Sequence, residues 1–295
     1  MLDHAARRGA LLVPLVVLAA AVTGGCGTRP SASAGEPVVL AAPATPALPP
    51  PAVTTTRPAA QPAPWADPGA AAARVEPNTT LAAVVLDRVT GDRPVSIGAG
   101  RQFRSASLVK MLIAIDVLGR APAAPTRERV ARMLSASDDG IASSLWVAYG
   151  PGIVARTAKR LGLRDTAAPE QAGRWGETMI SANDVVRVYR YVLDELPAAD
   201  RALVVDALAR APRYAADGFD QFFGIPDGLG VPWAVKQGWG NNEHAMVLHS
   251  TGLVGADRRY VVVLLTEHPL GSGWRTSADA VTAAARALAG ALPGA

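Results

Sequence analysis

The residues best suited to chemistry are a serine and a lysine three positions apart, in residues 107–110, Ser-Leu-Val-Lys. The apolar run that follows, residues 111–118, favours a helix, which places residues three apart on one face. A serine at a helix N-terminus lies near free backbone N–H groups and the positive end of the helix dipole, which stabilise a developing oxyanion. A neighbouring lysine of lowered pKa can take the hydroxyl proton. The pair therefore indicates serine acyl transfer without histidine; a solvated lysine beside a capping serine is the alternative.

Two later segments supply a second hydroxyl and a second lysine. Residues 137–139, Ser-Asp-Asp, precede a helical stretch, and residues 236–238, Lys-Gln-Gly, end a strand-like run. Motifs of the types Ser-x-x-Lys, Ser-Asp-Asn and Lys-Thr-Gly occur in this order in class A β-lactamases and penicillin-binding proteins. The chain resembles this superfamily over residues 81–293. The resemblance implies a serine hydrolase or acyltransferase that acts on a β-lactam or a D-alanyl peptide of peptidoglycan.

The resemblance also implies a role for each matching residue. Ser107 would be the acylated nucleophile and Lys110 the group that takes its proton. Ser137 would pass a proton to the leaving nitrogen, and Lys236 would attract the substrate carboxylate. The oxyanion hole would consist of the backbone N–H groups of Ser107 and Trp239. The predicted substrate-binding residues are Asp139, Gln237, Gly238 and Trp239.

The sequence departs from the family pattern at three places. Asp139 stands where the family has Asn; an ionised Asp only accepts hydrogen bonds, and it stabilises charged Lys110, which becomes a weaker base. Gln237 replaces a small hydroxyl residue that contacts the substrate carboxylate. The acidic motif that activates the hydrolytic water in class A enzymes is missing from residues 161–180, where Glu170 is the best candidate by position. Without such a base the acyl-enzyme would persist or pass to an amine. The other acidic residues of this segment are Asp165 and Glu177.

The charge and histidine content of the sequence indicates which partners and ligands to expect. The net charge of +4 comes from 29 basic and 25 acidic residues that are scattered along the chain, so we expect no nucleic acid partner. The histidine spacing does not suit zinc, and we expect no metal and no cofactor.

Two alternatives to an active enzyme stay open. One is a degenerate family member that binds peptidoglycan or a protein partner without turnover, and the other is an unrelated exported scaffold whose motifs coincide by chance.

The N-terminal part predicts export and anchoring. Residues 1–26 contain two arginines, an apolar stretch and small residues before Cys26, which is typical of a bacterial signal peptide with a lipobox-like end. We therefore expect lipidation of Cys26 and an extracytoplasmic protein held at the cell membrane; a signal cut elsewhere, or an uncleaved anchor, is the alternative. Residues 27–68 are rich in Pro, Ala and Thr and predict an extended tether before a domain at 69–295.

The elements that position these residues follow from the apolar runs. A strand pair joined by a turn comes first, then the helix after Ser107 and a helical stretch to about Leu208, then three strands and a C-terminal helix. This order predicts an α+β fold: an antiparallel sheet of about five strands formed by both chain ends, with an inserted all-helical lobe. The strand-like runs are residues 81–87, 94–98, 233–236, 245–249 and 259–265, and the C-terminal helix covers residues 277–292.

Overall fold

The computed structural model of the protein describes residues 65–150 and 152–295. The predicted signal peptide, Cys26 and residues 27–64 of the predicted tether lie outside the described residues. The domain begins earlier than predicted, because residues 65–68 belong to it. The Ala66 N–H donates to the carbonyl of Ala287 at 3.1 Å, and Trp65 packs against the core.

Five strands form one antiparallel sheet in the order β2-β1-β7-β6-β5. Two of them precede the helical lobe and three follow it, which confirms the predicted sheet formed by both chain ends. Thr80 of the first strand pairs with Glu267 of the last one, on the far side of the inserted lobe. The described strands are β1 (Thr80–Asp87), β2 (Val95–Ile97), β3 (Gln102–Arg104), β4 (Met179–Ser181), β5 (Trp233–Asn241), β6 (Met246–Val254) and β7 (Tyr260–His268).

Helices cover both faces of this sheet. Alternate residues of β1 and β7 pack against different helix groups: Val84 and Val263 face the inserted lobe, whereas Val85 and Val262 face the helices at the chain ends. Burial on both faces explains why these strands are almost continuously apolar. The described helices are α1 (Pro68–Ala73), α2 (Val109–Leu118), α3 (Ala124–Ser135), α4 (Asp139–Tyr149), α5 (Ile153–Leu161), α6 (Ala182–Asp194), α7 (Ala198–Ala209), α8 (Ile225–Leu229) and α9 (Trp274–Ala287).

The helix α2 lies in the centre of the lobe. All ten of its residues are buried. Its one acidic residue, Asp116, accepts hydrogen bonds from Arg156 of α5 at 3.0 and 2.8 Å and from Arg120 at 3.1 Å. These ion pairs satisfy the buried carboxylate and join α2 to α5, so the start of α2 has a fixed position.

A second, two-stranded sheet of β3 and β4 was not predicted from the sequence, since three-residue strands carry no periodic signal. It joins the segment before α2 to the segment before α6. The pairing continues in the hydrogen bond from the Ser105 N–H to the Thr178 carbonyl at 2.7 Å. No helix within the described ranges has the length and apolar composition needed to cross a membrane.

Candidate active site

Ser107 lies in a single 3-10 turn, Ala106–Leu108, directly before α2. This confirms the predicted position at a helix N-terminus. The serine is 5% exposed, and the preceding Ala106 has a φ of 43°. A positive φ is costly for a residue with a Cβ, and such residues concentrate at functional sites.

Lys110 is fully buried, and its Nζ atom has four oxygen neighbours. The distances are 2.7 Å to Ser107 Oγ, 2.7 Å to the carbonyl of Ser137 and 3.1 Å to Ser137 Oγ; the fourth neighbour is a carboxylate oxygen of Asp139. An ammonium can donate only three hydrogen bonds, whereas a neutral amine can donate two and accept one from a hydroxyl. Burial lowers the pKa of Lys110, and the charge of Asp139 opposes this effect.

Ser137 joins the two lysines. Its hydroxyl lies 3.1 Å from Lys110 Nζ and 3.0 Å from Lys236 Nζ. It lies in the turn between α3 and α4 with a φ of 54°, the second strained backbone position beside Ser107. Asp138 fixes this turn, since its carboxylate accepts the Ile141 N–H at 3.0 Å. The hydroxyl can therefore pass a proton from either lysine into the cleft.

Lys236 approaches from the sheet side. It lies on β5 and is 1% exposed, and its Nζ also donates to the carbonyl of Gln237 at 2.8 Å. Burial, together with the charge of Lys110, holds the pKa of Lys236 well below its usual value. Burial and the neighbouring ammonium both disfavour the charged form of Lys236.

Gln237 points away from the cleft, contrary to the prediction that it binds substrate. Its side-chain amide donates to the carbonyls of Gln221 at 3.0 Å and Phe223 at 2.7 Å. Side chains alternate in direction along a strand, so Gln237 and Lys236 serve different faces of β5. Gln237 therefore fixes the segment before α8.

Gly238 and Trp239 bring β5 to the nucleophile. A Cβ at Gly238 would lie 3.0 Å from the carbonyl oxygen of Ser105, so glycine permits the close approach of the two backbones. Trp239 is half-buried and lines the cleft that contains Ser107. This cleft has a volume of about 310 Å³, and Trp175 also lines it.

Asp217 is a site residue that the sequence analysis missed. Its carboxylate accepts a hydrogen bond from the indole N–H of Trp239 at 3.0 Å. The adjacent Ala216 N–H donates to the carbonyl of Ala136 at 2.8 Å, which brings this loop beside Ser137. The charge of Asp217 acts on both site lysines and raises the pKa of each against the effect of burial. Since Asp217 lies in an irregular loop, no periodicity or motif identifies it.

Glu170, the predicted candidate for activating water, is exposed and lines a neighbouring cavity that does not include Ser107. The glutamate that lines the Ser107 cleft is Glu177. Its carboxylate forms ion pairs with Arg104 at 3.3 Å and Arg174 at 3.6 Å. The Glu177 carboxylate is therefore engaged by two arginines and is not free in the cleft.

Two buried histidines support the segment that leads to Ser107. His249 Nε2 lies 2.7 Å from the carbonyl oxygen of Arg104, and its Nδ1 accepts the Thr266 N–H at 3.2 Å, so the proton resides on Nε2. His268 Nε2 lies 2.8 Å from the hydroxyl of Thr266. Burial lowers the pKa of each histidine to about 4. Within residues 65–150 and 152–295, no group of three His, Cys, Asp or Glu side chains could hold a metal ion.

Comparison of the sequence with known proteins identifies relatives. The family model described as the beta-lactamase enzyme family matches residues 119–292. The match begins after α2, so it contains Ser137 and Lys236 but not Ser107 and Lys110. A protein of Mycobacterium tuberculosis and one of Mycobacterium bovis, each named "Putative lipoprotein LppW", are 38% identical to the chain over 221 residues. The match covers 71% of this chain and 69% of each relative.

Solved structures show the same fold. A β-lactamase from Sphaerobacter thermophilus is 20% identical, covers 77% of this chain and 98% of its own, and superposes with a TM-score of 0.60. The β-lactamase of Streptomyces albus G gives 21% identity, 76% and 97% coverage and a TM-score of 0.58. An ancestral class A β-lactamase gives 18% identity, 76% and 97% coverage and a TM-score of 0.60.

Proposed function

Since this chain belongs to the beta-lactamase enzyme family, we propose that it is a serine hydrolase or acyltransferase whose Ser107 takes the acyl group of a β-lactam or a D-alanyl peptide. One observation supports this above the others: Lys110 Nζ lies 2.7 Å from Ser107 Oγ in a fully buried position. A base within hydrogen-bond reach of the nucleophile is the geometry that serine acyl transfer requires.

The reaction begins at the neutral form of Lys110. The amine takes the proton of Ser107 while Oγ bonds to the substrate carbonyl carbon. The backbone N–H groups of Ser107 and Trp239 stabilise the oxyanion. The carbonyl carbon then loses the leaving nitrogen, which receives a proton through the Ser137 hydroxyl, and the acyl group stays on Ser107.

The second candidate function is binding without turnover. It is favoured by the contact of Asp139 with Lys110, which stabilises the charged lysine and so opposes base catalysis. Glu177 is paired with two arginines, so its carboxylate is not free to activate the water that would hydrolyse an acyl-enzyme. If the acyl group leaves Ser107 slowly or not at all, the acylated protein is long-lived.

Intact-protein mass spectrometry separates these functions. The full chain in detergent is incubated with benzylpenicillin at millimolar concentration, and the mass is recorded over time beside the Ser107→Ala variant. We expect a penicilloyl adduct on the wild type that lasts for many minutes and is absent from Ser107→Ala.

A different time course identifies a different function. An adduct that decays with product release indicates a β-lactamase. Absence of any adduct on the wild type, with benzylpenicillin and with a neutral fluorophosphonate alike, contradicts acylation and leaves the binding function.

The proposal also states where the protein lies in the cell. We infer that the mature protein is extracytoplasmic and anchored in the cell membrane through a lipid on Cys26. The name of the mycobacterial relatives, which describes a lipoprotein, supports this. An anchored position outside the membrane gives the cleft access to peptidoglycan, the polymer in which D-alanyl peptides occur.

A further inference from the structure

The strand β5 shows which end of the cleft receives the acyl part of a substrate. At one end, Lys236 contacts the Ser137 hydroxyl, which can deliver the proton to a leaving group. Farther along, a Cβ at Gly240 would lie 3.8 Å from the Cβ of Ala106, in the turn of the nucleophile. A strand advances about 3.3 Å per residue, so Asn241 lies about 16 Å from Lys236. The acyl part therefore extends toward the Asn241 end.

A second cavity continues from the Ser107 cleft at this end. It has a volume of about 310 Å³, and the loop directly after β5, residues 242–244, lines it. The residues that line both spaces are Arg104, Arg174 and Glu177. The acyl part of a substrate bound at Ser107 therefore lies beside two guanidinium groups.

The two arginines differ in how far they are already engaged. Arg104 is held in place, since it donates to the carbonyl of Ala245 at 2.8 Å and to Glu177 at 3.3 Å. Arg174 has a side chain that is 51% exposed, and its only ion pair within the described part of the chain is with Glu177, at 3.6 Å. Its five N–H donors form a planar fork that matches a carboxylate. Arg174 is therefore the arginine that can bind an anionic group of a ligand.

The charges of the cleft favour a carboxylate near the nucleophile. The charged residues that line the Ser107 cleft are Arg104, Arg174, Glu177 and Asp139. Asp139 is paired with Lys110, so two guanidinium groups stand against one remaining carboxylate. Glu170 and Glu243 line the second cavity but not the cleft. They repel an anion that lies farther out, which restricts the favoured position to the part next to the reacting carbonyl.

We propose that the site selects acyl donors whose acyl part carries a carboxylate close to the reacting carbonyl, and that Arg174 binds this carboxylate. The inference rests on the proposed acylation of Ser107 and narrows its substrate class. It agrees with both proposed classes, because neither a β-lactam nor a D-alanyl peptide fixes the charge of the acyl side chain.

Three penicillins test the preference. Benzylpenicillin, carbenicillin and ampicillin share the bicyclic nucleus with its carboxylate, and the carbon beside the phenyl ring carries a hydrogen, a carboxylate or an amine. In each reaction Ser107 Oγ bonds to the lactam carbonyl carbon and gives its proton to Lys110. The lactam C–N bond breaks, and the nitrogen receives a proton through Ser137, so the adduct has the mass of the whole drug. The second-order acylation rate constant is measured from intact mass on the full chain in detergent.

We expect carbenicillin to acylate the wild type about threefold or more faster than benzylpenicillin, and ampicillin to be the slowest. The measurement is made at pH 6.5, where an α-amino group is protonated. The reason is one charge pair a few ångströms apart in a partly solvated site. In Arg174→Gln the ratio of carbenicillin to ampicillin should fall by about threefold or more. In Glu177→Gln it should rise, since the carboxylate that competes for Arg174 is lost.

Arg190→Gln is the matched control. Arg190 lies on α6, its side chain is 56% exposed, and it has a similarly long ion pair, with Asp194 at 3.9 Å. It lines a different cavity, beside Asp87 and Arg93. Its replacement should leave the ratio within about twofold of the wild type, because only long-range, screened interactions change.

Two results overturn the inference: a wild type that reacts no faster with carbenicillin than with ampicillin, or a ratio that Arg174→Gln and Arg190→Gln change equally. If no penicillin acylates the wild type, the proposed function fails, and calorimetry of the intact drugs with Ser107→Ala decides the preference. Tightest binding of carbenicillin, lost when Arg174→Gln is added, supports the inference. Equal dissociation constants, or no binding of carbenicillin, overturn it.

Discussion

Lys110 experiences two opposing influences. Its burial favours the neutral amine, which can take the proton of Ser107, while the neighbouring Asp139 carboxylate favours the ammonium, which cannot. The rate of acylation at a given pH depends on the balance between them.

Asp139→Asn should therefore accelerate acylation. Loss of the carboxylate lowers the pKa of Lys110 further, so a larger fraction is neutral at pH 7, and we expect a rate increase of about tenfold for each pKa unit removed. The acylation rate by benzylpenicillin, followed by intact mass from pH 5 to 9, should rise at lower pH than in the wild type. Asp220→Asn removes an exposed carboxylate that is paired with Arg213, so it should leave the pH dependence of the acylation rate unchanged. A slower rate in Asp139→Asn would contradict this account of Lys110.

The site residues differ in how well the sequence predicts them. Ser107, Lys110, Ser137 and Lys236 meet as predicted, because each lies in a short motif next to a regular element. The sequence did not determine the direction of Gln237, which depends on carbonyls of another segment. Asp217 was not found at all. Its place depends on Trp239 and Ala136, which are distant in sequence, and no local pattern encodes such contacts.

At the scale of elements, the strands β6 and β7 have a polar link within the core. Thr266 donates its N–H to His249 and accepts a hydrogen bond from His268, and His249 in turn donates to the Arg104 carbonyl. The sheet is thereby joined to the segment that carries Ser107. His249 must be neutral for this arrangement, since its Nδ1 accepts a hydrogen bond, and burial favours the neutral form of both histidines.

The stability of the domain should fall in acid for this reason. The pKa of each histidine is about 4 in the folded state and about 6.5 when unfolded, so the unfolded state binds more protons between these values. The free energy of unfolding should be constant with respect to these groups above pH 6.5 and decrease as the pH falls to 4, by about 3 kcal/mol for His249 alone.

Urea unfolding followed by tryptophan fluorescence at pH 4 to 8 measures this dependence. His249→Gln, which keeps a donor for Arg104, should reduce the slope between pH 6.5 and 4. His244→Gln, at an exposed position, is the control and should leave the slope unchanged. An equal slope in all three proteins would show that other groups cause the acid sensitivity.

The elements themselves were largely predictable. Apolar runs identified the five strands of the main sheet, because burial on both faces requires such runs. The strands β3 and β4 are too short to leave a signal, and α1 is an Ala-rich segment that the sequence does not distinguish from the tether before it. Its packing against α9 supplies the stability that its own six residues cannot.

At the scale of the whole molecule, the proposed lipid on Cys26 determines where the cleft acts. Cys26→Ser removes the thiol that would be acylated, so the protein should move from the membrane pellet to the soluble extracytoplasmic fraction of the cells that produce it. Immunoblots of separated fractions, with intact mass of the pelleted protein, measure this. Cells that produce the wild type are the reference, and a pelleted wild-type protein whose intact mass contains no lipid would contradict lipid anchoring.

The sheet built from both chain ends has a consequence for the order of folding if the chain is exported as proposed. The strand β1 would then be among the first parts of the domain to cross the membrane, whereas its partner β7 would follow after the entire helical lobe. Pairings this distant along the chain form late and slowly. Ser107 and Lys110 likewise precede Lys236 by most of the domain. On the proposed export, the four site residues therefore meet only after Lys236 has crossed the membrane.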